Sequence, residues 1–231
     1  MKQGQSIVKG DALQKISSAG FVLGAILIAV SGLLMPHANA PTRDLQEMLK
    51  PLGEHEFITQ LSSLLIAIGF WVVLLGAMGV NRSITSDGAP WARLGFYFTL
   101  TGTVLWTVSL SLDVAVASAV ANWLSAPTVS KDAAWSVVAA LSAFGRGMVP
   151  MTWIVYWLAL ALLNVAVIQS NIYPLWLGWT GLILSIPVIA LGAVQIFTPR
   201  SIILTMIFSI LMLLTTLWML VVGIRVARKA W

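Results

Sequence analysis

Six runs of about 20 apolar residues, each closed by a short polar or proline-containing segment, dominate this chain. A helix of that length, rising about 1.5 Å per residue, crosses the roughly 30 Å hydrocarbon core of a bilayer. The runs are Ile16 to Met35, Phe57 to Val80, Leu94 to Val120, Met148 to Ile168, Leu175 to Phe197 and Ile202 to Ile224. Hydrophobic residues make up 59% of the 231 and charged residues only 9%, too few to cover the surface of a soluble fold of this size. The expected fold class is all-α: a polytopic membrane helix bundle of six transmembrane helices, with residues 1–231 forming one integral-membrane domain.

One apolar stretch carries an internal break. Gly145-Arg146-Gly147-Met148-Val149-Pro150 interrupts the run from Ala133 to Ile168, and glycine and proline are the strongest local punctuators of a helix. The piece before it, Lys131 to Phe144, is then too short to span. With Trp135, Val138 and Leu141 on one side, it reads as a short interfacial helix before the fourth span. A single helix of more than 30 residues, bent near Pro150, is the alternative. Near the start, three lysines precede an apolar run that ends in Ala38-Asn39-Ala40, the outline of a signal peptide. That run exceeds the roughly 7–15 residues of a signal core, so it is read as a retained first span.

The charges divide by side. With six spans, one side holds eight basic residues (Lys2, Lys9, Lys15, Arg82, Arg93, Arg225, Arg228, Lys229) against Asp11 and Asp87. The other holds five basic and six acidic residues, most of them in the first long loop. Basic loops stay in the cytoplasm, so both termini are expected there, in a bacterial inner membrane. The same placement explains the net charge of +5 without nucleic acid, which is not an expected partner. Asn81-Arg82-Ser83 matches a glycosylation sequon but falls on the expected cytoplasmic side.

The chain has no cysteine, which removes disulfides, iron–sulfur clusters and thiol nucleophiles from its own chemistry. Its two histidines flank the first outer loop. His37 and His55, with Glu54 and Glu56, form the one conceivable metal set, since imidazole and carboxylate suit zinc, copper or iron. Nothing in their spacing fixes such a site. Within that loop Asp44, Glu47 and Lys50 share the face of a short surface helix expected to be capped by Thr42.

Polarity enters the membrane most clearly in the third span. Gly95, Thr99, Gly102, Trp106, Ser109 and Asp113 recur at spacings of four and three, which places small and polar groups on one stripe. Small residues let helices approach closely and hydroxyls bond across them, so the stripe reads first as a packing face. Gly178, Gly181 and Gly192 mark a similar face in the fifth span. Asp113 is the one acid well inside an apolar run, and a lone carboxylate in lipid is costly. Arg146 is its expected partner in a structural ion pair or ligand site, while Asn164 adds a polar group inside the fourth span. Eleven tryptophans make the chain tryptophan-rich; Trp71, Trp106, Trp153, Trp157 and Trp218 are expected to lie deep.

The function expected from this pattern is non-catalytic: a structural or accessory subunit of a larger membrane complex, packed against other integral-membrane subunits and lipids. No cofactor of its own is expected, and pigment, quinone or haem enters only through partner subunits. Transport of a small molecule or ion through Asp113, Arg146 and Asn164 is the alternative, and a membrane enzyme with a metal in the first outer loop comes third.

Overall fold

The computed structural model describes residues 12–36, 44–198 and 202–230, which form helices and turns and no strand. The α-helices are α1 (Ala12–Leu34), α2 (Leu45–Glu54), α3 (Glu56–Ser83), α4 (Ala89–Ser125), α5 (Lys131–Ser170), α6 (Leu175–Phe197) and α7 (Ile202–Ala230), with a 3-10 turn at Thr128–Ser130. Six of these, all but α2, are long and apolar enough to cross a membrane. The chain thus folds as a multi-pass membrane helix bundle.

Local chemistry sets the helix ends. The Asp44 carboxylate accepts a hydrogen bond from the Gln46 amide at 2.9 Å and so caps α2. This replaces the expected cap Thr42, which lies outside the described residues. Pro90 falls in the first turn of α4, where a missing N–H costs nothing. Asn171 ends α5 at φ 53°, a left-handed conformation that asparagine tolerates, and Pro174 follows just before α6.

The separate interfacial helix expected before the fourth span is not present: α5 runs unbroken from Lys131 to Ser170, 40 residues, with Gly145, Gly147 and Pro150 inside it. Its continuity comes from packing. α4, 37 residues long, lies antiparallel beside it in one register. Gly95 meets Leu163, Gly102 meets Tyr156, Leu112 meets Gly145 and Trp123 meets Trp135. Pro150 is buried, and its carbonyl sits 3.0 Å from where a Cβ on Gly192 of α6 would stand. A proline removes one backbone bond, which neighbouring helices offset in a membrane bundle.

Each span packs on the next in sequence, and α7 returns to α1, so the six close into a ring. Glycines set the spacing of its seams. A Cβ on Gly24 would lie 2.7 Å from the Gly69 carbonyl oxygen, and a Cβ on Gly69 3.1 Å from that of Gly24, so α1 and α3 touch backbone to backbone. The α4 stripe does the same against α5, and Gly178 and Gly181 bring α6 onto Asn164.

At about 1.5 Å per residue, α4 and α5 are about 55 and 60 Å long, well beyond the bilayer core. Their excess lies at the α2 end. There Leu49 of α2 packs with Val116, Val120 and Trp123 of α4 and Val138 of α5 in a second, smaller core.

Gly102→Ala places its Cβ 2.9 Å from the Tyr156 ring and is expected to lower stability in detergent by about 1–3 kcal/mol. Gly147→Ala meets nothing within 4 Å and is expected to raise it by about 0.5–1 kcal/mol. Thermal unfolding of both variants checks the pair; equal shifts would show that the glycine spacing does not hold the seam.

Candidate functional site

The ring interior is filled by aromatic side chains from four helices. Phe70 of α3 stacks on Trp106 of α4, centroids 4.7 Å apart, and meets Tyr156 of α5 edge-on at 5.0 Å. Tyr156 meets Trp157 at 5.5 Å, and Phe208 of α7 stacks on Trp153 at 3.6 Å. Such pairs contribute about 0.5–1.5 kcal/mol each beyond area burial. The indole N–H groups of Trp106, Trp153 and Trp157 and the Tyr156 hydroxyl are buried here without an acceptor. Trp71 faces outward at 48% exposure and donates to Thr107 Oγ1 of α4 at 2.8 Å. A hydroxyl on the adjacent helix lets an indole lie against lipid with its N–H satisfied.

The stripe of α4 lies within this interior. Thr99 is buried and returns its hydroxyl to the Gly95 carbonyl at 2.8 Å, and buried Ser109 shares a 3.1 Å hydrogen bond with Thr152 of α5. One polar stripe therefore serves both close approach and bonding between helices.

Asn164 is fully buried on α5. Its Nδ2 donates to the Leu160 carbonyl at 2.8 Å, whereas Oδ1 has no partner. Gly181 of α6 lies directly against the amide. Beside it, on the ring axis, is a cavity of about 20 Å³ walled by residues of α1, α3, α5, α6 and α7, Phe21, Val80, Leu177 and Trp218 among them. Trp218 Nε1 donates to the Leu177 carbonyl at 3.0 Å and so ties α7 to α6 at this level.

Asp113 and Arg146 occupy a different level. The contact between Leu112 and Gly145 sets their sequence neighbours at one height on the α4–α5 pair, toward the α2 end. Arg146 is exposed and Asp113 half-buried. Asn164 follows Arg146 by 18 residues on the same helix, about 27 Å along its axis, so the three do not share one site.

Beyond that level, Glu56 Oε1 accepts hydrogen bonds from Ser118 Oγ at 2.6 Å and Gln60 Nε2 at 2.9 Å, joining the start of α3 to α4. Glu54 pairs with Lys50 at 3.5 Å, both well exposed, a contact of small energetic weight. His55 is exposed at the α2–α3 junction, and His37 lies outside the described residues. Among the described residues no three His, Asp or Glu side chains gather as a metal site requires.

At the opposite end, Tyr173 in the α5–α6 turn shares a 2.8 Å hydrogen bond with Ser83 of α3. Burial pushes its hydroxyl above the ordinary tyrosine range, and the Ser83 bond opposes that shift. Sequence reasoning missed both this contact and the Glu56–Ser118–Gln60 cluster, because each depends on the register between helices far apart in the chain.

No family model, curated protein sequence or solved structure matches this chain, so the reading of function rests on its own geometry.

The raised Tyr173 pKa means that the folded state holds this proton more tightly than the unfolded one. The associated stability is complete below the ordinary value of 10.0 and declines as pH rises through the folded value. Tyr173→Phe is expected to cost about 1 kcal/mol at neutral pH through the lost bond and to flatten the alkaline decline. Melting temperatures at pH 7 and above pH 10 measure both effects, and an unchanged alkaline slope would contradict the assignment.

Proposed function

We propose that this protein is a non-catalytic structural or accessory subunit of a multi-subunit membrane complex. It would lie in a bacterial inner membrane with both termini cytoplasmic, following the excess of basic residues at that end. One observation carries the reading. α6 ends at Phe197, shortly past its contact with Pro150, while α5 continues to Lys131. On that uncovered stretch Ala133, Val137, Ala140, Phe144 and Gly147 are all exposed, at spacings of four and three. This is the spacing of a seam for another helix. Val137 is 55% and Phe144 62% exposed.

On this reading the face lies beyond the lipid tails. Ala133 to Phe144 of it lie between Arg146 and the charged pair Lys131 and Asp132, on the polar side of the Asp113 level. Counting about 20 residues of hydrocarbon core from Arg93 along α4 reaches Asp113, which leaves the seam in the headgroup and aqueous region. An exposed apolar helix face in that region marks an interaction surface, which this reading assigns to a partner protein. The α2 cap on the other side of the hairpin holds α4 and α5 together, so the face is presented on a supported element.

A second reading, transport of a small molecule or ion, draws on buried Asn164 beside its cavity. Asp113 and Arg146 would then act at a separate entrance.

Purification from the native membrane in mild detergent, with mass spectrometry of every co-eluting chain, separates the readings. Val137→Lys and Phe144→Glu are expected to reduce a stoichiometric partner by at least tenfold while the chain stays inserted and folded. Isolation of the wild-type chain alone under all gentle extractions, with uptake activity lost in Asn164→Leu, would favour transport and overturn the subunit reading.

A further inference from the structure

From Ala133 to Trp231 the chain contains no aspartate or glutamate, so all of α6 and α7 lack a carboxylate. Arg225 is exposed near the end of α7, and among the described residues it makes no ion pair and no hydrogen bond. Its contact is with the ring of Trp176 at the start of α6, 5.8 Å from the guanidinium carbon to the ring centroid. A cation held over a ring is placed by electrostatic attraction and uses no hydrogen-bond acceptor. The five N–H donors of the fork, whose geometry matches phosphate, stay available.

Packing fixes the depth of this pair. Gly178 of α6 meets Ile168 of α5, and Gly95 of α4 meets Leu163, so Trp176 stands about one helical turn outside the level of Arg93. With Arg93 at the margin of the hydrocarbon core, that is the headgroup layer. Toward the membrane centre the two helices present a mainly apolar outer face. Thr180 and Ile183 follow Trp176 at spacings of four and three, and Val221 and Leu214 precede Arg225 by four and eleven, all exposed. Among the described glycines none draws α6 onto α7, so side chains set this seam. The bond from Trp218 to the Leu177 carbonyl closes it behind.

We infer that Arg225, positioned by Trp176, binds the phosphate of an anionic phospholipid whose acyl chains lie along the outer face of α6 and α7. The phosphate accepts from the guanidinium fork and supplies the negative charge that this part of the chain lacks. The sequence adds Arg228 and Lys229 within the next turn of α7, which favours a net negative headgroup over a zwitterionic one carrying its own cation. The inference is independent of the subunit reading, since the site lies at the opposite end of the ring from the α5 seam.

Native mass spectrometry of the full-length protein tests it, after lipid is stripped in detergent and dioleoyl phosphatidylglycerol or dioleoyl phosphatidylcholine is added back. The tails are identical, so the two differ in headgroup alone. The first phosphatidylglycerol is expected to bind about fivefold more tightly, the weight of one basic side chain at an anionic surface. Arg225→Gln is expected to remove that preference, and Trp176→Leu to reduce it by at least half. Both replace exposed side chains, and melting temperatures verify folding, so a failure of one leaves the other decisive. Arg93→Gln, at similar depth on α4, is expected to leave the preference intact, and excess inorganic phosphate to leave the lipid bound. Equal affinity for the two lipids in the wild type would overturn the proposal. So would an equal loss in Arg93→Gln, which would reflect net charge, or displacement by inorganic phosphate, which would show that the tails take no part.

Discussion

Close approach of helix backbones is the constraint on which the rest of this structure depends. In lipid there is no hydrophobic force to press apolar helices together, so contact must come from van der Waals packing and from polar bonds between spans. The reciprocal contacts of Gly24 with Gly69, and of the α4 stripe with α5, bring the ring to a diameter that its own side chains can fill. Aromatic residues from α3, α4, α5 and α7 then meet in the middle. With wider seams, Phe208 could not stack on Trp153.

The interior formed in this way is packed rather than reactive. Its buried polar groups among the described residues are hydroxyls and one asparagine amide, and most hydroxyls return their proton to a carbonyl one turn back. The exceptions are informative. Indole and phenol donors without acceptors lie among stacked rings, and the buried hydroxyls of Ser17, Ser31, Ser63 and Thr103 and the Asn164 amide oxygen likewise lack a partner. The polar and charged clusters at the α2 end belong to a different environment and serve the hairpin that rises from the ring.

Much of this architecture was legible in the sequence, because its strongest signals are local. Run length placed all six spans, and spacings of three and four marked the α4 stripe and the α6 glycines. The misreadings arose where tertiary contacts override a local rule. Gly145, Gly147 and Pro150 predict a break, yet α4 alongside keeps α5 helical through them. Thr42 and Asp44 are both good caps, and only the start of the helix at Leu45 decides between them. Contacts such as Glu56 with Ser118 require the register of a whole helix pair, which no window of sequence contains.

The closed ring also orders its own biosynthesis. Spans leave the ribosome one at a time, and each of α3 to α6 can settle against a predecessor already in the membrane. α7 alone has two neighbours waiting, α6 and α1, and it supplies Phe208 for Trp153 and Gly223 for the α1 surface around Val22. Until the last span arrives, the faces of Trp153 and Phe21 look onto lipid or insertion machinery. A chain truncated before Ile202 would therefore be left as an open crescent, with its most aromatic surface unsealed.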